Sequence, residues 1–309
     1  MTKSNNTQGN QYHDEEGKFT SKDDVGSKKD SFEKVFNPQL NDLEIDNLIS
    51  TYFNDFFTKK EMPKEEKEIN IENNGKKRIV EMSDDELRVE IAEHNQYFRE
   101  NKIGLGRPKD FNGDLKLRCA NYRKFVELHK KYPVNFSETT FTFSARFKRT
   151  YAYVSSQCNE GFGIFLPNVD IKFNTNTYYT SFENVLMKCN KHIKSNWQQK
   201  GNDDELLSYT LTHEYGHALQ NEIAKNEVFN KNKFTENKLS EFENNIKFAV
   251  KKIYDAKYND GGFYSEVSRY GKTNSAEWFA ETFASLNCGQ PTKAALCLGE
   301  YLKNNGYGG

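Results

Sequence analysis

The stretch Asp203–Glu222, DDELLSYTLTHEYGHALQNE, decides how the rest of the chain is read. Leu207, Leu211, Ala218 and, just beyond, Ile223 recur at helical spacing, and Asp203 or Asp204 suits the helix start, so one helix is predicted over 203–222. Residues four apart on a helix lie one turn apart on the same face. His213 and His217 therefore turn their imidazoles toward a common point, with Glu214 beside them. This HExxH pattern predicts two zinc ligands and a carboxylate facing a bound water.

Two imidazoles hold a catalytic zinc poorly, so a third ligand is expected further along the chain. The segment Asn274–Glu281, NSAEWFAE, offers Glu277 and Glu281 one turn apart. Thr273, Asn274 and Ser275 supply caps for a helix from about Ala276 to Leu286. Alanine and phenylalanine around the two glutamates predict that this helix is buried, and a buried carboxylate needs a partner.

Together, HEYGHAL at 213–219 and RYGKTNSAEWFAETFA at 269–284 resemble the catalytic domain of anthrax lethal factor and the related Pro-Pro endopeptidases. The resemblance covers about Asp203 to Leu286. It implies a zincin-like metallopeptidase domain in which His213, His217 and Glu277 bind Zn2+ and Tyr270, seven residues before Glu277, faces the scissile carbonyl. Glu214 is then the general base toward a metal-activated water, and Glu281 an acceptor that orients a histidine. The expected activity is that of a zinc-dependent endopeptidase, with a protein or peptide substrate bound as an extended strand. A second, shorter likeness is that of YHDEEGKFTSKDD at 12–24 to a segment of phage minor head proteins, which implies a virion-associated chain. Other readings are a virion structural protein whose zincin domain serves assembly, an injected or secreted toxin protease, and a zinc site that only stabilises the fold.

Outward from the motif, the chain alternates between helical and extended patterns. Ser83 and Glu86 form a capping box opening a helix to about Asn101, and Leu115–Lys131 is a second helix ended by Tyr132-Pro133. Phe136–Asn174 is rich in β-branched and aromatic residues broken by Gly and Asn, which predicts three or four antiparallel strands, with GIFLPNVDIKFN at 163–174 as the edge strand. Helices are also predicted over Phe182–Trp197 and Thr292–Lys303. Within Lys225–Lys257, a charged insert, Leu239, Phe242, Ile246, Val250 and Ile253 form one apolar stripe, with Phe248 off it. The fold class expected is α+β, with a small antiparallel sheet over the HExxH helix.

Residues 1 to about 38 are polar and nearly free of aliphatics and read as a disordered arm. A helix over 37–59 and a charged linker over 60–80 follow, so the expected organisation is 1–80 arm and linker, then 81–309 catalytic domain. With 44 basic and 45 acidic residues the net charge is -1, which predicts neither nucleic acid nor membrane as partner. Cys119, Cys158, Cys189, Cys288 and Cys297 form no CxxC pair and are expected as free thiols. No apolar leader segment or membrane-length run is apparent, so a cytoplasmic or virion-associated location is expected. His13, His94, His129 and His192 lack ligand spacing and read as surface residues.

Overall fold

The structure is a computed structural model describing residues 77–104, 113–136, 141–144, 152–159, 164–174, 181–229 and 236–308. The expectations for the arm, the helix over 37–59 and most of the 60–80 linker lie outside the described residues, as does that for His13.

Helix α1 spans Asp84–Glu100, and its capping box forms as the sequence requires: Ser83 Oγ accepts from Glu86 N–H and the Glu86 carboxylate accepts from Ser83 N–H at 2.7 Å. Helix α2, Leu115–Lys131, packs along it, burying Phe98, Tyr122 and Phe125 in a run of edge-on ring contacts. Strands β1 (Phe141–Ser144), β2 (Ala152–Asn159) and β3 (Ile164–Asn174) follow, then α3 (Phe182–Lys194), α4 (Asp203–Leu207) and α5 (Tyr209–Ala224). After a π-turn at Lys225–Phe229 come α6 (Glu236–Lys257), α7 (Ser275–Asn287) and α8 (Lys293–Asn304).

The α+β expectation is overturned: the described body is predominantly helical, with eight α-helices among the described residues, and its one small sheet there is mixed rather than antiparallel. The strands number three, in the order β1-β3-β2, and β1 runs parallel to β3 while β2 runs antiparallel to it. The segment predicted as the edge strand, GIFLPNVDIKFN, is one continuous strand from Ile164 to Asn174. It is also central rather than an edge, since β1 pairs with its end from Ile171 to Asn174 and β2 with its other side. Alternation of apolar residues reports which face a side chain takes, not which neighbour a strand chooses or in which direction. Ile171 and Phe173 are fully buried, and β3 packs on α5.

The predicted single helix over 203–222 is two. Leu206 and Leu207 carbonyls accept from Cys189 Sγ–H and Asn121 Nδ2, and the helix breaks at Ser208. The cap is Asn202, whose side chain accepts from Glu205 N–H. Asp204 instead accepts from Ile79 and Val80 N–H at 2.7 and 3.3 Å, tying the segment before α1 to α4. The charged insert contributes to the core: Phe242, Ile246, Val250 and Tyr254 of α6 are buried while Phe248 is exposed, as the stripe requires. Cys119, Cys189, Cys288 and Cys297 are buried free thiols. His94 is buried beside Glu90, and His129 is half-buried between Tyr97 and the Val134 carbonyl, so neither is the surface residue expected.

Candidate metal centre

Helices α5 and α7 cross closely because α5 has no side chain at the contact. A Cβ on Gly216, between the two histidines, would lie 3.0 Å from Ala280 Cα and 3.3 Å from Phe283 Cβ. This approach sets the turn carrying His213 and His217 against the turn carrying Glu277 and Glu281. Asn274 caps α7, its side chain accepting from Glu277 N–H at 2.8 Å, which fixes the first of these glutamates in the first turn.

The three predicted ligands meet. Glu277 Oε2 lies 3.1 Å from His213 Nε2 and 3.3 Å from His217 Nε2, and one ligand atom from each residue lies within 4.8 Å of the others. Glu277 is fully buried and His213 nearly so. His213 Nδ1 lies 2.9 Å from Glu281 Oε1. A carboxylate only accepts, so Nδ1 carries the donated hydrogen and the neutral ring keeps its lone pair on Nε2. Nε2 is buried and makes no aligned hydrogen bond. A buried imidazole lone pair aimed at a second imidazole and a carboxylate is a donor set that suits zinc. Burial alone would push the His213 pKa down, but the hydrogen bonds and charges of Glu277 and Glu281 raise it well above the usual range. A proton therefore competes for the position a metal would take.

Glu281 also anchors the surroundings. Its Oε2 accepts from Tyr209 OH at 3.0 Å and from Ser268 Oγ at 2.6 Å, and Ser268 Oγ accepts from Gly271 N–H at 3.1 Å. A Cβ on Gly271 would fall 2.5 Å from Val267 Cγ1 and 3.0 Å from Glu281 Cβ, so only glycine lets the Tyr270 segment lie this near α7. Burial and the Glu281 charge raise the Tyr209 pKa, keeping the phenol a donor.

Glu214 is 3 % exposed. Burial raises its pKa, while His213 and His217 pull it down, Glu277 pushes it up and, least of all, the backbone of Val154 at the register shift in β2 pulls it down. Tyr270 is buried with its ring centroid 5.5 Å from that of His213. All six predicted site residues, His213, Glu214, His217, Tyr270, Glu277 and Glu281, are thus brought together.

Sequence reasoning missed Glu243. It sits half-buried on α6, where burial raises its pKa to about 7, His217 pulling it down and Glu277 pushing it up, so the insert brings a further carboxylate beside the ligands. The signal was present: Glu243 stands four residues after Leu239 and three before Ile246, on the inward stripe itself. Comparison with protein-family models, curated proteins and solved structures finds no match for this chain.

Proposed function

We propose that the chain is a zinc-dependent endopeptidase. The observation that carries this reading is the convergence of His213 Nε2, His217 Nε2 and a Glu277 carboxylate oxygen, with Glu214 and Tyr270 flanking them. Zinc held there would supply Lewis-acid activation of water and of a peptide carbonyl. Glu214 takes a proton from the attacking water, and the raised pKa that burial gives its carboxylate makes it a better proton acceptor than an ordinary glutamate. The water oxygen bonds to the carbonyl carbon and the C–N bond breaks. The proton passes from Glu214 to the leaving amine. Tyr270 donates to the carbonyl oxygen as it gains charge, a role in which a placed donor contributes a factor of ~100 to 1,000.

Glu281, Tyr209 and Ser268 orient rather than react. Their hydrogen bonds hold His213 in one tautomer and fix the segment on which Tyr270 stands. An extended peptide is the substrate form this reading takes. Among the described residues β1 covers β3 only from Ile171 to Asn174, and backbone from Ile164 to Pro167 is paired on the β2 side alone. A cytoplasmic or virion-associated setting belongs to the same reading, and no described helix is long and apolar enough to cross a membrane.

The test is digestion of a peptide library by the purified chain, read by mass spectrometry, with and without a chelator, alongside elemental analysis. Near one zinc per chain and chelator-sensitive cleavage are expected. Absence of zinc after supplementation would remove the ligand assignment, and zinc without cleavage would remove the peptidase.

A further inference from the structure

The turn between α3 and α4 lies against the segment that carries Tyr270. Asn196 takes the left-handed conformation, φ 54°, which asparagine tolerates better than most residues. Its N–H bonds back to the Ile193 carbonyl and the Trp197 N–H to the His192 carbonyl, so the turn is fixed to the end of α3. From there it reaches across in three places. The Asn196 carbonyl accepts from Arg269 N–H at 2.8 Å, the Gln199 side chain donates to the Glu266 carbonyl at 2.9 Å, and the half-buried Trp197 ring lies on Tyr270, centroids 5.3 Å apart and planes at 34°. Gln199 N–H also donates to Tyr209 OH at 3.2 Å, joining the turn to the Glu281 network that orients His213.

Tyr270 itself sits in a single 3-10 turn, Tyr270–Lys272, with its ring between those of Trp197 and His213. A phenol that must meet a developing charge has to be held in place beforehand, because a displacement of about 1 Å can cost ~100-fold in rate. We infer that Trp197, carried on the Asn196 turn, is a positioning residue that clamps Tyr270 over the metal pocket. Its effect on rate rests on the peptidase reading; its effect on the Tyr270 ring does not.

The experiment uses the full chain with Trp197→Ala, Trp197→Leu, Trp197→Phe, Tyr270→Phe and the double variant Trp197→Ala/Tyr270→Phe. In metal-free protein, nitration of Tyr270 by tetranitromethane, followed by peptide mass spectrometry, should run about three- to tenfold faster in Trp197→Ala and Trp197→Leu, the population change one aromatic pair controls. Trp197→Phe should restore the slow rate, and the nitration pattern of buried Tyr254 reports that the fold is kept. In zinc-loaded protein, Trp197→Ala should lower kcat by about tenfold with KM within about twofold, and should add nothing to Tyr270→Phe.

Unchanged Tyr270 nitration in the alanine and leucine variants would overturn the clamp. So would an equal kcat loss in the Tyr270→Phe background, which would place Trp197 in substrate contact or general packing. If Trp197→Ala does not fold, Trp197→Leu decides by the same measurement. If the native chain cleaves nothing, the peptidase reading falls, while the nitration rates alone still decide whether Trp197 holds Tyr270.

Discussion

On α1, Glu90 and His94 stand one turn apart; on α5, His213 and His217 do, and both pairs meet a charged side chain from a neighbouring helix. Their chemistry diverges at that meeting. Arg123 of α2 donates to both oxygens of Glu90 at 2.6 Å, and His94 Nε2 lies 3.2 Å from Glu90 Oε1, so every charge there is balanced by a fixed opposite one. Across α5 and α7 the meeting is of acceptors: two imidazole nitrogens and a carboxylate oxygen face one point, with the other His213 nitrogen already committed to Glu281. The same one-turn spacing makes a closed ion pair in one place and an open donor set in the other. What separates them is the first residue of each pair, a glutamate against a histidine, and the partner that packing delivers, an arginine against a glutamate.

The largest effects that test this contrast lie at the open set. Glu277→Ala should abolish stoichiometric zinc binding, whereas Glu214→Gln should keep zinc and lower kcat by about 100- to 10,000-fold, because the amide cannot accept a proton. Metal analysis beside steady-state kinetics checks both, and identical behaviour of the two variants would mean that ligand and base are wrongly divided. Next is Glu281→Ala, which frees His213 Nδ1 and removes the acceptor of Tyr209 and Ser268. Zinc affinity should fall by about 10- to 100-fold in a chelator competition assay. An unchanged affinity would show that His213 is held by packing alone.

Much of this was legible because it is local. The capping box at Ser83 and Glu86, the bounds of α2 and the inward stripe of α6 depend on neighbours within two turns. So does the face shared by His213 and His217, and by Glu277 and Glu281. What the sequence did not disclose depends on partners far along the chain. Asn121, 86 residues before Leu207, takes the Leu207 carbonyl where the helix over 203–222 breaks. Asp204 looks like a helix cap but binds backbone N–H groups of Ile79 and Val80. The parallel pairing of β1 with β3 sets Phe141 beside Ile171, far along the chain, and alternation does not encode that choice of neighbour or direction. Glu243 was hidden for a different reason, since an acidic residue in a charged helix draws no notice until the face it occupies is known.

A smaller effect probes how α5 and α7 come together. Gly216→Ala places a methyl group 3.0 Å from backbone and 3.3 Å from the Phe283 side chain, so the helices must separate slightly. Overpacking of this kind costs roughly 1 to 3 kcal/mol. Thermal unfolding should show that loss together with weaker zinc binding, because the ligands come from both helices. A stability loss with native zinc affinity would mean that the pocket tolerates the shift.

The smallest effect belongs to the closed pair and depends on pH. Burial would raise the Glu90 pKa, but the hydrogen bonds from Arg123 and His94 bring it from the ordinary 4.5 down to about 2. A carboxylate whose pKa is depressed in the folded protein contributes stability above its unfolded pKa, and that contribution is lost as pH falls through the folded value. Glu90→Gln should therefore cost about 1 to 2 kcal/mol near neutral pH, less than the pKa displacement alone suggests because the pair is partly solvated. The difference from the native chain should shrink between pH 4.5 and about 2. Urea unfolding of both proteins across that range measures it. The same substitution should leave zinc content unchanged, since Glu90 and Arg123 are closed upon each other; a loss of zinc in Glu90→Gln would show that the α1–α2 pair supports the α5–α7 site.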